Sequence, residues 1–474
     1  MAGDGAGTRA SSHVVLHDVL DDACHRLQRM APARSAYRTI TLGQWIWGSI
    51  ALAALAAAAA HAPALTLAVA AIFGKFLFVC AIGFRLVAAA ASLSPPPKPS
   101  ARWSGPLPIY TILCPLRGEA RVIGDLVAAL DALDYPKDRL DIKLVLEADD
   151  EATLWAALAL DLPSHVEIIV TTAAEPRTKP KALNYAFSFA AGAFVAVYDA
   201  EDRPHPQQLR AALDAFAAGG PQMAVAQAPL LVDNARASWI AGQFAAEYAI
   251  QFREVLPLLA RLGLPLPLGG TSNHFRAEAL RAAGGWDPFN VTEDADLGYR
   301  LARDGWTSAM IDPPTWEEAP VNLRAWTLQR ARWIKGHMQT WLVLMRNPFR
   351  TAREMGGAAF ASMQVLLLGG VLAAFMHLPL AAIFAVSVFT PLKLLGPPDI
   401  ALAVAGYATA IYGALAAAAL LRDGRLAHAA LTMPFYWPLH SIAALRALGS
   451  LIVRPHHWRK TAHGVSARPI LARA

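Results

Sequence analysis

Two strongly apolar stretches, one on each side of a charge-dense middle, constrain this chain more than any other feature. The first begins at about Leu42, runs through GQWIWGSIALAALAAAAA, and continues past His61-Ala-Pro63 through ALTLAVAAIFGKFLFVCAIGF. Each run comes close to the ~20 residues a helix needs to cross bilayer hydrocarbon. Neither reads as a secretory leader, because the apolar part starts too late and no cleavage site precedes a mature domain. Ser94-Pro-Pro-Pro-Lys-Pro-Ser100 then stops the helix, since proline lacks the amide donor and disfavours helix in the residue before it. Apolar character returns from Gly357 to Val453 in about four blocks, 357–376, 377–396, 399–421 and 428–452. The expected organisation is a cytoplasmic segment over 1–40, two transmembrane helices over 41–93, and a proline-rich linker over 94–106. A soluble domain over 107–325 follows, then an interfacial helix over 326–350. About four transmembrane or interfacial helices occupy 357–452, and a cytoplasmic tail covers 453–474.

Charge agrees with this plan. Charged residues make up 16% of the chain and hydrophobic ones 55%, where a soluble domain carries about 25% charged residues. A disordered chain, a coiled coil and a basic nucleic-acid-binding arm are excluded. Three cysteines, Cys24, Cys80 and Cys114, are too few and scattered for a disulfide framework or a four-cysteine zinc site. Arg26, Arg29, Arg34 and Arg38 precede the first span, and basic residues also precede Gly357 and follow Val453. By the positive-inside rule they put the N-terminus, the central domain and the tail in the cytoplasm. Arg422 and Arg425 conflict with a four-span count, which places them outside. Lys75 interrupts the second span, facing a polar pathway or pairing locally. After Val453 only about twenty residues remain, fewer than an unaided fold needs, so no appended regulatory domain is expected there.

The middle reads as alternating strands and helices. Strands are expected at Pro108–Pro115, Ile142–Glu147, Val166–Thr172 and Phe194–Asp199, with helices at Glu119–Leu133, near 152–160 and at 181–190. That alternation argues for a parallel sheet, and ligands of such sheets bind beyond the carboxyl ends of the strands. Acidic residues gather at those ends: Glu147, Asp149 and Asp150 after one strand, Asp199, Glu201 and Asp202 after another. No glycine-rich phosphate fingerprint stands at the first turn. Carboxylates without such a loop suit a hard divalent cation carrying a diphosphate, although any one of them also serves as a turn former or helix cap.

The spacing resembles that of the family 2 glycosyltransferases, inverting enzymes of the GT-A fold. Within them it is similar to the membrane-embedded group of bacterial cellulose synthase catalytic subunits and other glucan synthases. Pro115-Leu-Arg-Gly-Glu119 stands at the first strand end, with glycine where the family has asparagine. The resemblance implies that Pro115, Arg117, Glu119, Asp149 and Lys179 meet the nucleotide, Lys179 through Lys179-Pro-Lys-Ala-Leu-Asn184, with Glu147 a rival of the aspartates. It implies that Asp199-Ala-Glu-Asp202 binds Mg2+ or Mn2+. The third position is Glu201 rather than aspartate, so Glu201 and Asp202 compete as the second ligand. Thr292-Glu293-Asp294 matches the motif that carries the general base, implying that role for Asp294. Gln329-Arg330-Ala-Arg332-Trp333 matches the family's acceptor-side motif. Trp458-Arg-Lys460-Thr461-Ala-His463-Gly464 resembles a segment that closes over the nucleotide.

The chemistry asks for three things: a base near the acceptor hydroxyl, a neutralised leaving diphosphate, and a held sugar. Asp294 suits the first, unless it only caps the helix after it. The metal, with Lys179 and Arg332, suits the second. Trp333 offers a stacking face unless it is a membrane-belt tryptophan, and Gly270 allows close backbone approach. The expected function is a β-glycosyltransferase of the inner membrane using a nucleotide sugar, UDP-glucose by the resemblance, to elongate and extrude a polysaccharide. Transfer of one sugar to a lipid acceptor is the first alternative, and a non-catalytic scaffold with a decayed domain the second. Membrane lipids and periplasmic or regulatory chains are the expected partners, with no nucleic acid.

Overall fold

The computed structural model describes residues 5–94, 100–457 and 464. Helix α1 (Gly5–Met30) leads to the apolar hairpin α2 (Leu42–His61) and α3 (Pro63–Ser92). Thr41 starts α2 through a capping box, its hydroxyl accepting from the Gln44 amide while the Gln44 side chain accepts from the Thr41 amide.

The central domain supplies β1 (Tyr110–Leu116), α4 (Ile123–Asp131), β2 (Leu140–Glu147), α5 (Glu151–Leu158), β3 (Val166–Thr171), α6 (Lys179–Phe187), β4 (Phe194–Val197) and β5 (Arg203–Pro204). It continues with α7 (Gln208–Gly219), β6 (Met223–Gln227), β7 (Leu230–Val232), α8 (Trp239–Ile250), α9 (Leu256–Arg261), β8 (Asn273–Arg276), α10 (Ala277–Ala282), α11 (Glu293–Arg303), β9 (Thr307–Met310) and β10 (Thr315–Glu317). Seven strands form one mixed sheet in the order β3-β2-β1-β4-β8-β6-β9. The first four are parallel; β8 runs antiparallel to both β4 and β6. Residues such as Ile112, Leu113, Leu144 and Val195 are buried on both faces, which is why these strands read as unbroken apolar runs. The register sets Leu116 beside Leu146 and Leu113 beside Val197, so β1, β2 and β4 end on one edge. A small sheet, β5-β10-β7, flanks that edge.

Helix α12 (Leu323–Leu344), capped by Asn322, and α13 (Pro348–Met355) lead into the second apolar region. Here the four expected blocks divide differently. The first two merge into α14 (Gly357–Met363), a π-helical stretch Gln364–Gly369, and α15 (Gly370–Phe389). Nothing at residue 376 interrupts the backbone ladder, and Pro379 is tolerated inside the helix. The chain turns instead at Thr390–Gly396, ahead of Pro397 and Pro398. Then come α16 (Pro397–Leu421), α17 (Gly424–Tyr436) and α18 (Pro438–Val453). Among the described residues, four helical runs are long and apolar enough to cross a membrane: α2, α3, Gly357–Phe389 and α16. The last apolar block divides into the shorter α17 and α18. Lys75 instead makes a long-range ion pair, its ammonium 2.5 Å from Asp399 at the start of α16.

Candidate active site

A cavity of about 470 Å³ opens at the carboxyl edge of the sheet and continues between the apolar helices. Pro115, Arg117 and Glu119 reach its wall from the turn after β1, Glu147 from the end of β2, and Asp199 and Glu201 from the turn after β4. Lys179 opens α6, while Thr292, Glu293 and Asp294 stand at the start of α11. Gln329, Arg330, Arg332 and Trp333 enter from α12, and Gly270 from the loop before β8.

These residues differ in how free their charges are. Glu147 lines the wall, but its carboxylate is held 2.8 Å from the buried Lys181 ammonium. Asp149 sits outside the cavity wall, accepting from Arg177 at 2.6 Å and Arg117 at 3.3 Å. Asp150 caps α5 and also receives the Gly118 amide. Asp202 is turned inward: its Oδ2 accepts the Asp199 amide at 2.7 Å and the Thr271 hydroxyl. Its charged form is disfavoured by burial first and by Asp199 and Glu201 next, so its carboxyl sits well above the usual range. Asp199 and Glu201 face the cavity, and Asp199 is 2.6 Å from the Lys179 ammonium. Burial alone would lower the lysine; the charges of Asp199, Asp294 and Glu293 outweigh it and hold Lys179 above its ordinary range.

Among the described residues, no group of three or more His, Cys, Asp or Glu gathers around a single ion position. The turn after β4 offers the cavity two hard carboxylates, Asp199 and Glu201. That donor set fits a cation arriving with a diphosphate, which completes the coordination with phosphate oxygens and water.

Asp294 is fixed by a hydrogen bond from the Trp286 indole to Oδ1 at 3.2 Å. Burial first, then the Glu293 charge, push its carboxyl well above the usual range, and Lys179 opposes them. A side chain on Gly270 would begin 3.8 Å from Asp294 Oδ2 and 4.0 Å from Lys179 Nζ. The bare glycine therefore keeps the gap between the Asp294 carboxyl and the Lys179 ammonium clear. His274, in β8 just after that loop, is structural, buried between the Tyr110 hydroxyl at 2.9 Å and Gln208 at 3.2 Å. Burial takes its pKa down to about 3, so it is neutral.

Helix α12 closes the site on the side of the apolar helices. Arg332 lies within reach of the Val291 carbonyl, 3.5 Å away, just before Thr292. Trp333 stacks on Tyr248, with ring centroids 6.0 Å apart. Arg330 turns away from the carboxylates and grips Glu247 of α8 with two bonds of 3.1 and 2.6 Å. Trp458, Lys460, Thr461 and His463 lie outside the described residues; the Gly464 amide donates to Glu318 at 2.7 Å.

Three contributors escaped the sequence reading. Glu247 is the one charged residue in the otherwise apolar WIAGQFAAEYAI of α8, a signal that could have been used. Glu317, at the end of β10, lines the same wall; burial first and Asp202 next raise its carboxyl well above the usual range. Gly336 lets α12 press directly on Thr292.

The family described as glycosyltransferase like family 2 matches residues 108–336. A beta-monoglucosyldiacylglycerol synthase from Synechocystis sp. is 28% identical over 340 residues, 69% of this chain and 65% of that protein. A probable glucomannan 4-beta-mannosyltransferase from Arabidopsis thaliana is 25% identical over 244 residues, 48% of this chain and 43% of that protein. The chain thus spans less than two thirds of the length of these curated relatives. A solved mannosyltransferase from Pyrobaculum calidifontis, in complex with GDP-Man and Mn2+, superposes with a TM-score of 0.45 at 21% identity, covering 80% of this chain and 99% of that one.

Proposed function

We propose, from the premise that this chain is a family 2 glycosyltransferase over residues 108–336, that it moves one sugar from a nucleotide donor onto a hydroxyl of a membrane lipid. The observation that carries this reading is the continuity of the cavity. It begins at Lys179, Asp199 and Asp294 and continues between the apolar helices, where Leu366, Leu367, Val371 and Met433 share the wall with Arg85, His377, Trp437 and His440. The leucines, the valine and the methionine suit acyl chains. The glucosyl-lipid synthase relative supports the same reading.

In this reading the donor, UDP-glucose first among candidates, lays its diphosphate near Lys179 and Arg332. Asp199 and Glu201 would hold Mg2+ or Mn2+, which neutralises charge on the leaving diphosphate when bound. Asp202 shapes the turn that presents them. Asp294 takes the proton of the acceptor hydroxyl, and its neighbour Glu293 tunes it. Pro115, Arg117 and Glu119 border the nucleotide, and Gln329 and Trp333 border the acceptor.

The protein sits in the inner membrane with its catalytic domain in the cytoplasm. Two crossings after the domain, rather than four, return Arg422 and Arg425 to the domain's side, as the positive-inside rule asks. Helices α17 and α18 then lie at the interface.

Polysaccharide elongation is the second reading. The stacked rings of Phe244, Tyr248 and Trp333 favour it, since they form a platform a sugar chain could use; so does the glucomannan synthase relative. Nucleotide release across a panel of UDP- and GDP-sugars, with Asp294→Asn as control, tests the activity. Product size separates the readings: one glycolipid spot supports the first, a polymer ladder refutes it, and silence with every donor refutes both.

A further inference from the structure

Helix α12 touches the turn before Asp294 along one stripe. Arg332, Gly336 and Gln339 are spaced four and three residues apart, which puts them on one helix face. Gln339 Oε1 accepts the Val291 amide at 3.1 Å, Arg332 lies 3.5 Å from the Val291 carbonyl, and bare Gly336 lets the helix meet Thr292. The stripe thus addresses both backbone groups of Val291 and the side chain of Thr292, the residues that lead directly into Glu293 and Asp294. The same helix sends Gln329 and Trp333 to the cavity wall. One rigid element thereby holds both the base turn and the acceptor-side residues.

The other half of the Gln339 amide reaches the turn that follows α18. Its Nε2 donates to the Phe289 carbonyl at 3.4 Å and to the Pro455 carbonyl at 3.2 Å. His456 Nδ1 donates to the same Phe289 carbonyl at 2.9 Å, and its ring meets the Phe289 ring edge-on with centroids 5.3 Å apart. One turn earlier on α12, the Lys335 ammonium holds that segment in place. It donates to the Ser450 hydroxyl at 3.2 Å and to the carbonyls of Arg454 and His457 at 3.3 and 2.9 Å. Gln339 and Lys335 are both buried, so these bonds are sheltered from water.

We propose that Gln339 and His456 are positioning residues for Asp294, which makes the turn after α18 a working part of the catalytic site. The inference rests on the transferase reading and deepens it. Gln339 acts through the Val291 amide and His456 through the Phe289 carbonyl; neither is part of the cavity wall. The surrounding structure has anchors of its own. Asn290 donates to Thr340 at 2.9 Å, and Asp287 accepts from the Ser35 hydroxyl at 3.1 Å and the Ala36 amide at 2.5 Å. Helix α11 is tied down by Arg300, which donates to the carbonyls of Ala283 and Gly285 at 2.7 and 2.9 Å. Removing the Gln339 bonds therefore loosens the step from Val291 to Asp294 without releasing the loop or the helix. A base must stand within hydrogen-bond reach of the proton it takes, so this loosening falls on the rate of transfer and spares binding.

The test uses the full chain in neutral detergent, with UDP-glucose as donor and dioctanoylglycerol as acceptor. Gln339→Met keeps the length of the side chain and removes its bonds. His456→Phe keeps the ring contact and removes the donor, whereas His456→Asn returns a donor near the place of Nδ1. Transfer is followed with radiolabelled donor, UDP affinity by calorimetry, and backbone amide exchange over residues 287–296. Gln339→Met lowers kcat by about 10-fold or more, as a small displacement of a reacting group does, while KM for the lipid and UDP affinity stay near wild type. Its Val291–Asp294 amides exchange faster, and those of Ile142–Glu147 do not. His456→Phe lowers kcat by a smaller factor, and His456→Asn restores it. An unchanged kcat in Gln339→Met overturns the proposal. So does a fall in kcat matched by equal losses of UDP affinity and thermal midpoint, because the role would then be structural. His456→Asn as slow as His456→Phe removes His456 from it. An inert wild type would count against the transferase reading itself; the exchange rates then decide the placement, faster exchange in Gln339→Met upholding it and unchanged exchange overturning it.

Discussion

Replacing Gly336 by alanine should disable the enzyme without unfolding it. Gly336 lies inside α12, where alanine is normally better than glycine by about 0.5–1 kcal/mol. Here a methyl group would stand 2.2 Å from Thr292 Oγ1, 2.4 Å from its Cγ2 and 2.7 Å from its Cβ. No rotation of Thr292 clears three atoms at once, so the turn carrying Glu293 and Asp294 must retreat by about 1 Å to regain van der Waals contact. Overpacking of this kind costs about 1–3 kcal/mol, which exceeds the propensity gain. The larger effect is on geometry: a 1 Å displacement of reacting groups can cost on the order of 100-fold in rate.

The assay compares Gly336→Ala with Gly449→Ala, which sits inside α18 with nothing within 4 Å of the added carbon. The expectation is a kcat lowered at least 30-fold in Gly336→Ala, with nucleotide affinity nearly intact because Lys179 and Asp199 are on other elements. Gly449→Ala should match the wild type in rate and equal or exceed it in stability. Wild-type kcat in Gly336→Ala would show that the Thr292 turn does not have to be where α12 holds it, and the assignment of Asp294 would lose its geometric support.

Three further outcomes follow from the same geometry. Asp294→Asn should lower kcat by about 100- to 10,000-fold, the usual contribution of a positioned base, while leaving nucleotide affinity unchanged; residual turnover above a tenth of wild type would exclude the role. Because burial and Glu293 raise the Asp294 carboxyl, the base form is lost as pH falls through a range above that of ordinary carboxylates. The acidic limb of kcat should therefore lie high and shift to lower pH in Glu293→Gln; an unmoved limb would refute the coupling. Arg330→Ala leaves Glu247 without its bidentate partner at a site where Arg330 is 10% and Glu247 30% exposed. The cost should be about 3 kcal/mol, near the lower end for a broken buried pair because Glu247 is partly solvated, with partial recovery when Glu247→Gln is added. A melting curve that does not move in the single variant would contradict this.

What the sequence revealed and what it hid divide along a physical line. Strands such as Ile142–Glu147 announce themselves because burial on both faces demands continuous apolar residues, and the strand-end carboxylates follow because nothing apolar can stand there. Motif residues on one turn, like Thr292-Glu293-Asp294, were legible for the same local reason. Pairings across long separations were not: whether Glu147 is free depends on Lys181 folding back over it, and whether Asp202 faces the cavity depends on Thr271, 69 residues away. The rivalry between Glu201 and Asp202 could only be narrowed by that contact. The boundaries of the later helices were hidden for a different reason. Cutting 357–396 into two blocks assumed that a span stops at about twenty residues, yet a helix ends where its backbone ladder is broken, and the prolines that break it lie at 391, 397 and 398. One continuous run from Gly357 to Phe389 therefore follows from where the prolines stand, not from the length of a span.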